Sequence, residues 1–159
     1  MGGERAAALG NIRPHSRNFG ACGALYSTRM NSSSKYLAVV PAYNEGDTVV
    51  GVVRSLHEHV PQFDVLVVDD GSTDGTGDLA AAAGARVVRH PFNLGIGGAV
   101  QSGFVFALEH RYDYMVQVDG DGQHCAEEIP KLLAAMRADP ALDLICGSRF
   151  LTKEHGYPA

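Results

Sequence analysis

Long apolar runs are missing from this chain. No stretch approaches the roughly 20 residues that a membrane-spanning helix needs. That excludes a helical span here and leaves a membrane-associated substrate open. Paired cysteines are missing as well. Cys22, Cys125 and Cys146 form no Cys-x-x-Cys pair, which suggests free thiols in a reducing compartment. A basic excess is also absent. The formal net charge is −5, which argues against general nucleic-acid binding and supplies no basic membrane patch. No Gly-Lys-Ser/Thr triplet occurs, so there is no Walker loop. What is present is ordinary for a globular protein. The 159 residues are 45% hydrophobic and 19% charged, enough for one domain with its own core.

The first 35 residues differ from the rest. They hold Gly, Ser, Asn and Arg, a single acidic residue (Glu4), and no usable periodicity. They read as a disordered extension, residues 1–35, ahead of a folded domain over 36–159. Two other readings stay open. The Arg-rich, acid-poor composition suits a targeting peptide, and Met30 suits a true start preceded by an over-long gene model.

From Tyr36 the pattern alternates. Tyr36-Leu37-Ala38-Val39-Val40 is an apolar run stopped by Pro41 and predicts a first strand. Asp47 or Thr48 can cap a helix whose Val49, Val52, Val53, Leu56 and Val60 share one face. Asp64 to Val68 predicts strand two, Thr76 to Ala83 a short helix stopped by Gly84, and Arg86 to Arg89 strand three. The next helix is predicted to carry Ile96, Ala99, Val100, Gly103, Phe104, Ala107 and Leu108 on one face. Tyr114 to Val118 predicts a buried strand four. A helix from about Ala126 to Ala138 follows, burying Ile129, Leu132, Leu133 and Met136. Leu142 to Cys146 predicts strand five. Such alternation means a mainly parallel sheet with helices on both faces. Ligands bind such sheets in the crevice outside the strands' carboxyl ends.

That edge carries the unusual residues. Asp119-Gly120-Asp121-Gly122-Gln123-His124 ends strand four. Residues i and i+2 of an extended chain point the same way, so the two carboxylates can converge on one point. Like charges held that close need a cation between them or a raised pKa on one. A hard divalent ion with oxygen ligands answers this, although Asp and Gly also simply form turns. Asp69 and Asp70 end strand two. Either can accept hydrogen bonds from ribose hydroxyls or a base N–H, or make an Asx-turn and cap the next helix. One is expected to serve each purpose. Asp74-Gly75 reads as only a turn. Gly95-Ile96-Gly97-Gly98 opens a helix and resembles a phosphate cradle, but close helix–sheet packing explains its glycines equally well. Tyr43 can stack on a base, Asn44 can fix its loop, and Glu45 can meet a base or ribose. His124 can reach a metal's outer shell or a phosphate, or be a surface residue.

Five segments in order resemble family 2 glycosyltransferases of the GT-A fold, nearest the polyprenyl-phosphate (dolichyl-phosphate mannose synthase-like) branch. They are Val39 to Glu45, Val67 to Thr76, Asn93 to Ala99, Gln117 to His124, and Gly147-Ser148-Arg149-Phe150. The resemblance implies a Rossmann-like nucleotide-sugar-binding fold. It implies that Pro41, Tyr43 and Glu45 line the nucleotide pocket and that Val68 and Asp70 hold base and ribose. Asp119, Gly120 and Asp121 would be the DxD element. Asp121, with Gln123 and Asp119, would hold Mg²⁺ or Mn²⁺ on the diphosphate, and Asp121 is the catalytic candidate. Arg149 would face phosphate. Cys125 stands where the family typically has Pro, beyond the ligands.

The implied reaction is metal-dependent, inverting transfer of a sugar from a nucleoside diphosphate sugar to an acceptor, expected to be a polyprenyl phosphate. The expected place is cytoplasmic, peripheral at the cytoplasmic face of a membrane, with no nucleic-acid partner. A lipid phosphate acceptor is already an anion, whereas a hydroxyl acceptor needs a general base, for which the chain offers no candidate. The acceptor half is expected to lie beyond a truncated C-terminus. Two rivals remain: a nucleotidyltransferase of related architecture, disfavoured because Pro41-Ala42-Tyr43-Asn44-Glu45 has no Lys or Arg, and a non-catalytic nucleotide- or partner-binding module. Base, sugar and oligomeric state are not legible.

Overall fold

The structure is a computed structural model and describes residues 34–122, 126–139 and 141–147. The predicted N-terminal extension therefore lies almost wholly outside the described residues. So do Gln123, His124, Cys125, Ser148, Arg149 and Phe150.

Four strands form one parallel sheet: β1 (Tyr36–Ala42), β2 (Phe63–Asp69), β3 (Arg86–Arg89) and β4 (Tyr114–Gln117). Their order across the sheet is β3-β2-β1-β4. Helices α1 (Val49–His59), α2 (Thr76–Ala82) and α3 (Gly95–Glu109) fill the crossovers. A 3-10 turn over Ala126–Glu128 leads into α4 (Ile129–Ala138). The sheet belongs to one compact unit, Asn31–Pro130, and residues from Lys131 belong to a second.

β1 runs through Pro41 rather than stopping before it. The reason is which way Pro41 faces. Val39 C=O accepts from Val118 N–H on the β4 side, while Ala42 C=O accepts from Asp70 N–H on the β2 side. Neighbouring residues of a central strand alternate between the two sides, so Pro41 faces β4. Pairing with β4 reaches only from Tyr36 to Val39. The N–H that proline lacks thus has no partner to disappoint.

One sheet face carries Leu37, Val39, Leu66 and Val68 against Ala99 and Ala107 of α3, with Val88, Phe106 and Met115 half-buried around them. Alternation sends Ala38, Val40, Val65 and Val67 to the other face, all buried. There α1 buries Val49, Val52, Val53 and Leu56, and Val60 is buried just past its end. This matches the predicted α1 stripe.

α3 departs from prediction. Its buried residues are Ala99, Gly103 and Ala107, while Ile96, Phe104 and Leu108 are exposed, Leu108 by 75%. The helix lies too close to the sheet for large side chains. A Cβ on Gly103 would sit 2.5 Å from Val39 Cγ1. Small residues spaced by four therefore face the strands. β4 also differs. Among the described residues it is an edge strand with half-buried side chains, not the buried core strand its apolar sequence suggested. No strand forms over 142–146, and the turn before it is closed by Leu142 N–H on Asp139 C=O at 3.1 Å. In α4 Ile129 is buried, and Leu132, Leu133 and Met136 are half-buried.

Candidate functional site

The carboxyl ends of β1, β2 and β4 and the start of α3 enclose an open cleft of about 310 Å³, at the lower end of the range for small-ligand sites. Pro41, Tyr43, Glu45, Asp70, Asp119, Gly120 and Asp121 all line it, and α3 contributes Gly95, Ile96 and Ala99. Seven of the predicted site residues are thus gathered in one place. Val68 is not among the lining residues: its side chain is fully buried in the core beneath α3. Gln123 and Arg149 lie outside the described residues.

The first two loops are stitched together before any ligand is considered. Asn44 takes a left-handed conformation at φ 55°, which Asn tolerates better than most residues. Its N–H donates to Ser72 Oγ at 3.0 Å, and its Oδ1 accepts from Thr73 N–H at 2.9 Å. Glu45 N–H donates to Thr76 Oγ1 at 2.9 Å and Gly46 N–H to Asp74 Oδ2 at 2.9 Å. Asp74 also accepts from Thr76 N–H and, at 2.5 Å, from Thr76 Oγ1. The Thr76 hydroxyl, then the Gly46 N–H, hold the Asp74 carboxyl below the usual carboxylate range. Asp74 is therefore a bridge between loops and not merely part of a turn.

Asp69 and Asp70 divide the work differently from expectation. Asp69 closes the loop after β2 by accepting from Ser72 N–H, three residues on, at 2.9 Å. Asp70 is 3% exposed and fastens the start of α3. Its Oδ1 accepts from Leu94 N–H at 2.9 Å, and its Oδ2 from Gly95 N–H at 2.8 Å. His90 Nδ1 lies 2.6 Å from Oδ1, and His90 Nε2 lies 2.8 Å from Ser102 Oγ. Burial pushes the Asp70 carboxyl up, but the Leu94 N–H, His90 and Gly95 N–H outweigh it and leave its pKa lowered. With its Nδ1–H donated to Asp70, the ring pairs through Nε2 with the Ser102 hydroxyl. Asp70 is thus a cap for α3 as well as a cleft residue. His90 and Ser102 were not singled out from sequence. The only available signal was a His directly after strand three.

The tight approach of these loops explains two glycines. A Cβ on Gly71, at φ +77°, would lie 2.8 Å from Phe92 C. A Cβ on Gly120 would lie 2.9 Å from Pro41 O. At the start of α3 neither Gly95 nor Gly97 has a neighbour within 4 Å of its added Cβ. Sheet packing therefore does not account for these two; in this helix it accounts for Gly103. The first-turn N–H groups of a helix lack intrahelical partners; in α3 the Gly95 N–H goes to Asp70, and no acidic residue lies within the first turn itself.

At β4, Asp119 is half-buried and Asp121 exposed. Gln117 Nε2 donates to Asp119 Oδ1 at 3.1 Å. Among the described residues no group of three or more His, Cys, Asp or Glu side chains converges as a ready metal cage. Two carboxylates on one cleft still fit Mg²⁺ or Mn²⁺, because such ions are usually held by one or two carboxylates plus substrate phosphates. Tyr43 is 48% exposed beside them, so its ring is open to stacking.

Comparison with known proteins places these features in context. The pattern of Glycosyl transferase family 2 matches residues 37–158. The undecaprenyl-phosphate mannosyltransferase of Micrococcus luteus is 42% identical over 120 residues, covering 72% of this chain and 48% of that protein. The polyprenol monophosphomannose synthase of Mycolicibacterium smegmatis is 37% identical over 125 residues, covering 75% and 46%. The chain thus spans about half the length of these relatives. Glucosyl-3-phosphoglycerate synthase from Mycobacterium tuberculosis, solved with Mn²⁺, uridine diphosphate and glucosyl-3-phosphoglycerate, superposes with a TM-score of 0.56 at 29% identity, covering 65% of this chain and 40% of that one.

Proposed function

The chain belongs to glycosyltransferase family 2, and on that footing we propose that it is the donor-binding part of a GT-A transferase. The reaction is transfer of a sugar from a nucleoside diphosphate sugar to a polyprenyl phosphate. The observation that carries this reading is the single cleft lined by Tyr43, Glu45, Asp70, Asp119 and Asp121.

Each residue has a chemical task. Tyr43 stacks on the base, and Glu45 and Asp70 accept hydrogen bonds from base or ribose. In the first turn of α3, the N–H groups beyond Gly95, whose own N–H is taken by Asp70, offer hydrogen bonds to the diphosphate. Asp119 and Asp121 hold a divalent cation, Mg²⁺ or Mn²⁺, with Gln123 as a third oxygen ligand. When bound, that ion supplies Lewis-acid stabilisation of the departing diphosphate. Arg149 adds positive charge toward phosphate. A polyprenyl phosphate oxygen is a ready nucleophile, so no general base is required. Attack from the face opposite the diphosphate inverts the anomeric carbon. A lipid acceptor places the reaction at a membrane surface, with the protein peripheral on its cytoplasmic face. No helix among the described residues is long and apolar enough to cross a membrane.

The test is thermal. Uridine and guanosine diphosphates are screened with and without Mn²⁺. A ligand at 100 times its Kd stabilises by about 2.7 kcal/mol, a shift of several degrees for a domain this size. The shift is expected only with metal and is expected to vanish in Asp121→Asn. A shift equal with and without metal overturns the metal-dependent reading. No shift with any nucleotide overturns donor binding.

A further inference from the structure

Thr48 stands at the N-cap of α1 yet makes no side-chain cap. Its hydroxyl is turned elsewhere. Oγ1 lies 2.8 Å from Gly120 O, the carbonyl between Asp119 and Asp121, and 2.8 Å from Glu45 Oε2. A capping bond is normally worth about 1 kcal/mol to a helix, and this one is forgone for a contact that spans 72 residues of sequence. Gly120 is itself buried and pressed on the end of β1.

We propose that Thr48 is the positioning residue of the acidic turn: its hydroxyl latches Gly120 C=O to the first loop and thereby aims Asp119 and Asp121 into the cleft. Deepening the donor-site reading, the proposal rests on it for what the two carboxylates bind, but not for the latch itself. A hydroxyl has one hydrogen to donate, and here two oxygen acceptors stand at equal distance, with Glu45 C=O a longer third at 3.3 Å. Glu45 and the acidic turn therefore compete for it. Whatever draws the Glu45 carboxylate away, such as a nucleoside hydroxyl or base N–H, frees the hydrogen for Gly120. Occupation of the base-and-ribose end of the cleft would then tighten its metal end, a coupling in which each site strengthens the other.

Amide exchange of residues 119–122, measured by NMR on the whole chain without ligand, tests the latch. Thr48→Val, which keeps the shape and removes the hydroxyl, is expected to raise these rates about fivefold, the scale of one net hydrogen bond. Thr48→Ser keeps the hydroxyl and is expected to stay within about twofold of the parent. Glu45→Ala removes the competitor and is expected to slow the same amides. Titration with Mn²⁺ alone is expected to show several-fold weaker binding in Thr48→Val and near-parental binding in Thr48→Ser. Equal effects of valine and serine would show that the hydroxyl is not what sets these rates and overturn the proposal, as would unchanged exchange in Thr48→Val. Should Thr48→Val fail to fold, Glu45→Ala decides: slower exchange supports the latch, and unchanged or faster exchange overturns it. A parent chain that binds neither Mn²⁺ nor nucleotide removes the donor-site reading, while the exchange rates still judge the latch.

Discussion

Adding one methyl group to α3 is expected to destabilise the protein at Gly103 and to stabilise it at Gly97. At Gly103 the new Cβ would stand 2.5 Å from Val39 Cγ1 and 3.0 Å from Cγ2. Carbon atoms in contact prefer about 3.5–4.0 Å, so something must retreat by roughly an ångström. Val39 cannot easily do so: it is fully buried on β1, between β2 and β4. Overpacking of this kind costs typically 1–3 kcal/mol. Replacing glycine inside a helix returns about 0.8–1 kcal/mol. The net expectation for Gly103→Ala is a loss of about 1 kcal/mol, and at most about 2. At Gly97 nothing lies within 4 Å of the added Cβ, so only the propensity gain remains, about 0.5 kcal/mol so close to the helix start. The two variants should differ by about 1.5 kcal/mol. Urea unfolding followed by circular dichroism reads this as midpoints displaced in opposite directions at constant m-value. Two shifts of the same sign, or a Gly103→Ala protein as stable as its parent, would refute the claim that close approach to Val39 selects the small-residue stripe.

Three further outcomes follow from titratable and hydrogen-bonded groups. The Asp70 carboxyl is held below its ordinary 3.8 in the folded protein, so its contribution to stability is complete above that value and is lost as pH falls through the lower folded pKa. The stability gap between the parent and Asp70→Asn should shrink between about pH 5 and pH 2; a gap that widens there contradicts the assignment. Tyr112 is partly buried and donates to Asp64 Oδ2 at 2.5 Å, and burial first, then Asp64, pushes its phenol up to about 12. Its contribution is full below pH 10 and lost as pH climbs toward 12, so ultraviolet titration should show one late phenol that disappears in Tyr112→Phe. His90→Ala strips Asp70 and Ser102 of a shared partner and should cost roughly 1–3 kcal/mol; chemical denaturation showing no loss would mean water replaces the ring.

Periodicity revealed most of the fold because most elements here obey it. The α1 stripe and the β2 and β3 runs fall within a residue or two of prediction. The misses share a cause: each depends on what stands next to the residue. Pro41 ends a strand only if its missing N–H faces a partner, and here β4 has already ended on that side. The apolar pattern of α3 gives no hint that its small residues, rather than Phe104 and Leu108, face the sheet. Thr48 has cap-forming chemistry and the cap position, but a carbonyl brought close by β4 claims its hydroxyl. Strand propensity over 142–146 was not enough to make a strand there, because a strand exists only by pairing.

The acidic residues carry the same lesson into the site. Five aspartates end strands or follow glycine-rich turns at this edge, and local chemistry treats them alike: each can cap, turn or bind. Only tertiary structure sorts them. Asp69 and Asp74 are held mainly by backbone N–H groups and hydroxyls of the loops they build. Asp70 is buried and serves α3, although it borders the cleft. Asp119 and Asp121 are left at the cleft surface on a turn anchored at its middle carbonyl. A carboxylate that builds a loop must already be satisfied in the empty protein, because an unpaired buried charge is too costly to keep. A carboxylate meant for a cation must stay near solvent until the cation comes. Burial therefore sets Asp69 and Asp70 at the end of β2 apart from the acids of β4 where sequence does not, whereas exposed Asp74 is told apart only by its bonds to Gly46 and Thr76; this division fits the proposal that the acids of β4 hold the cation.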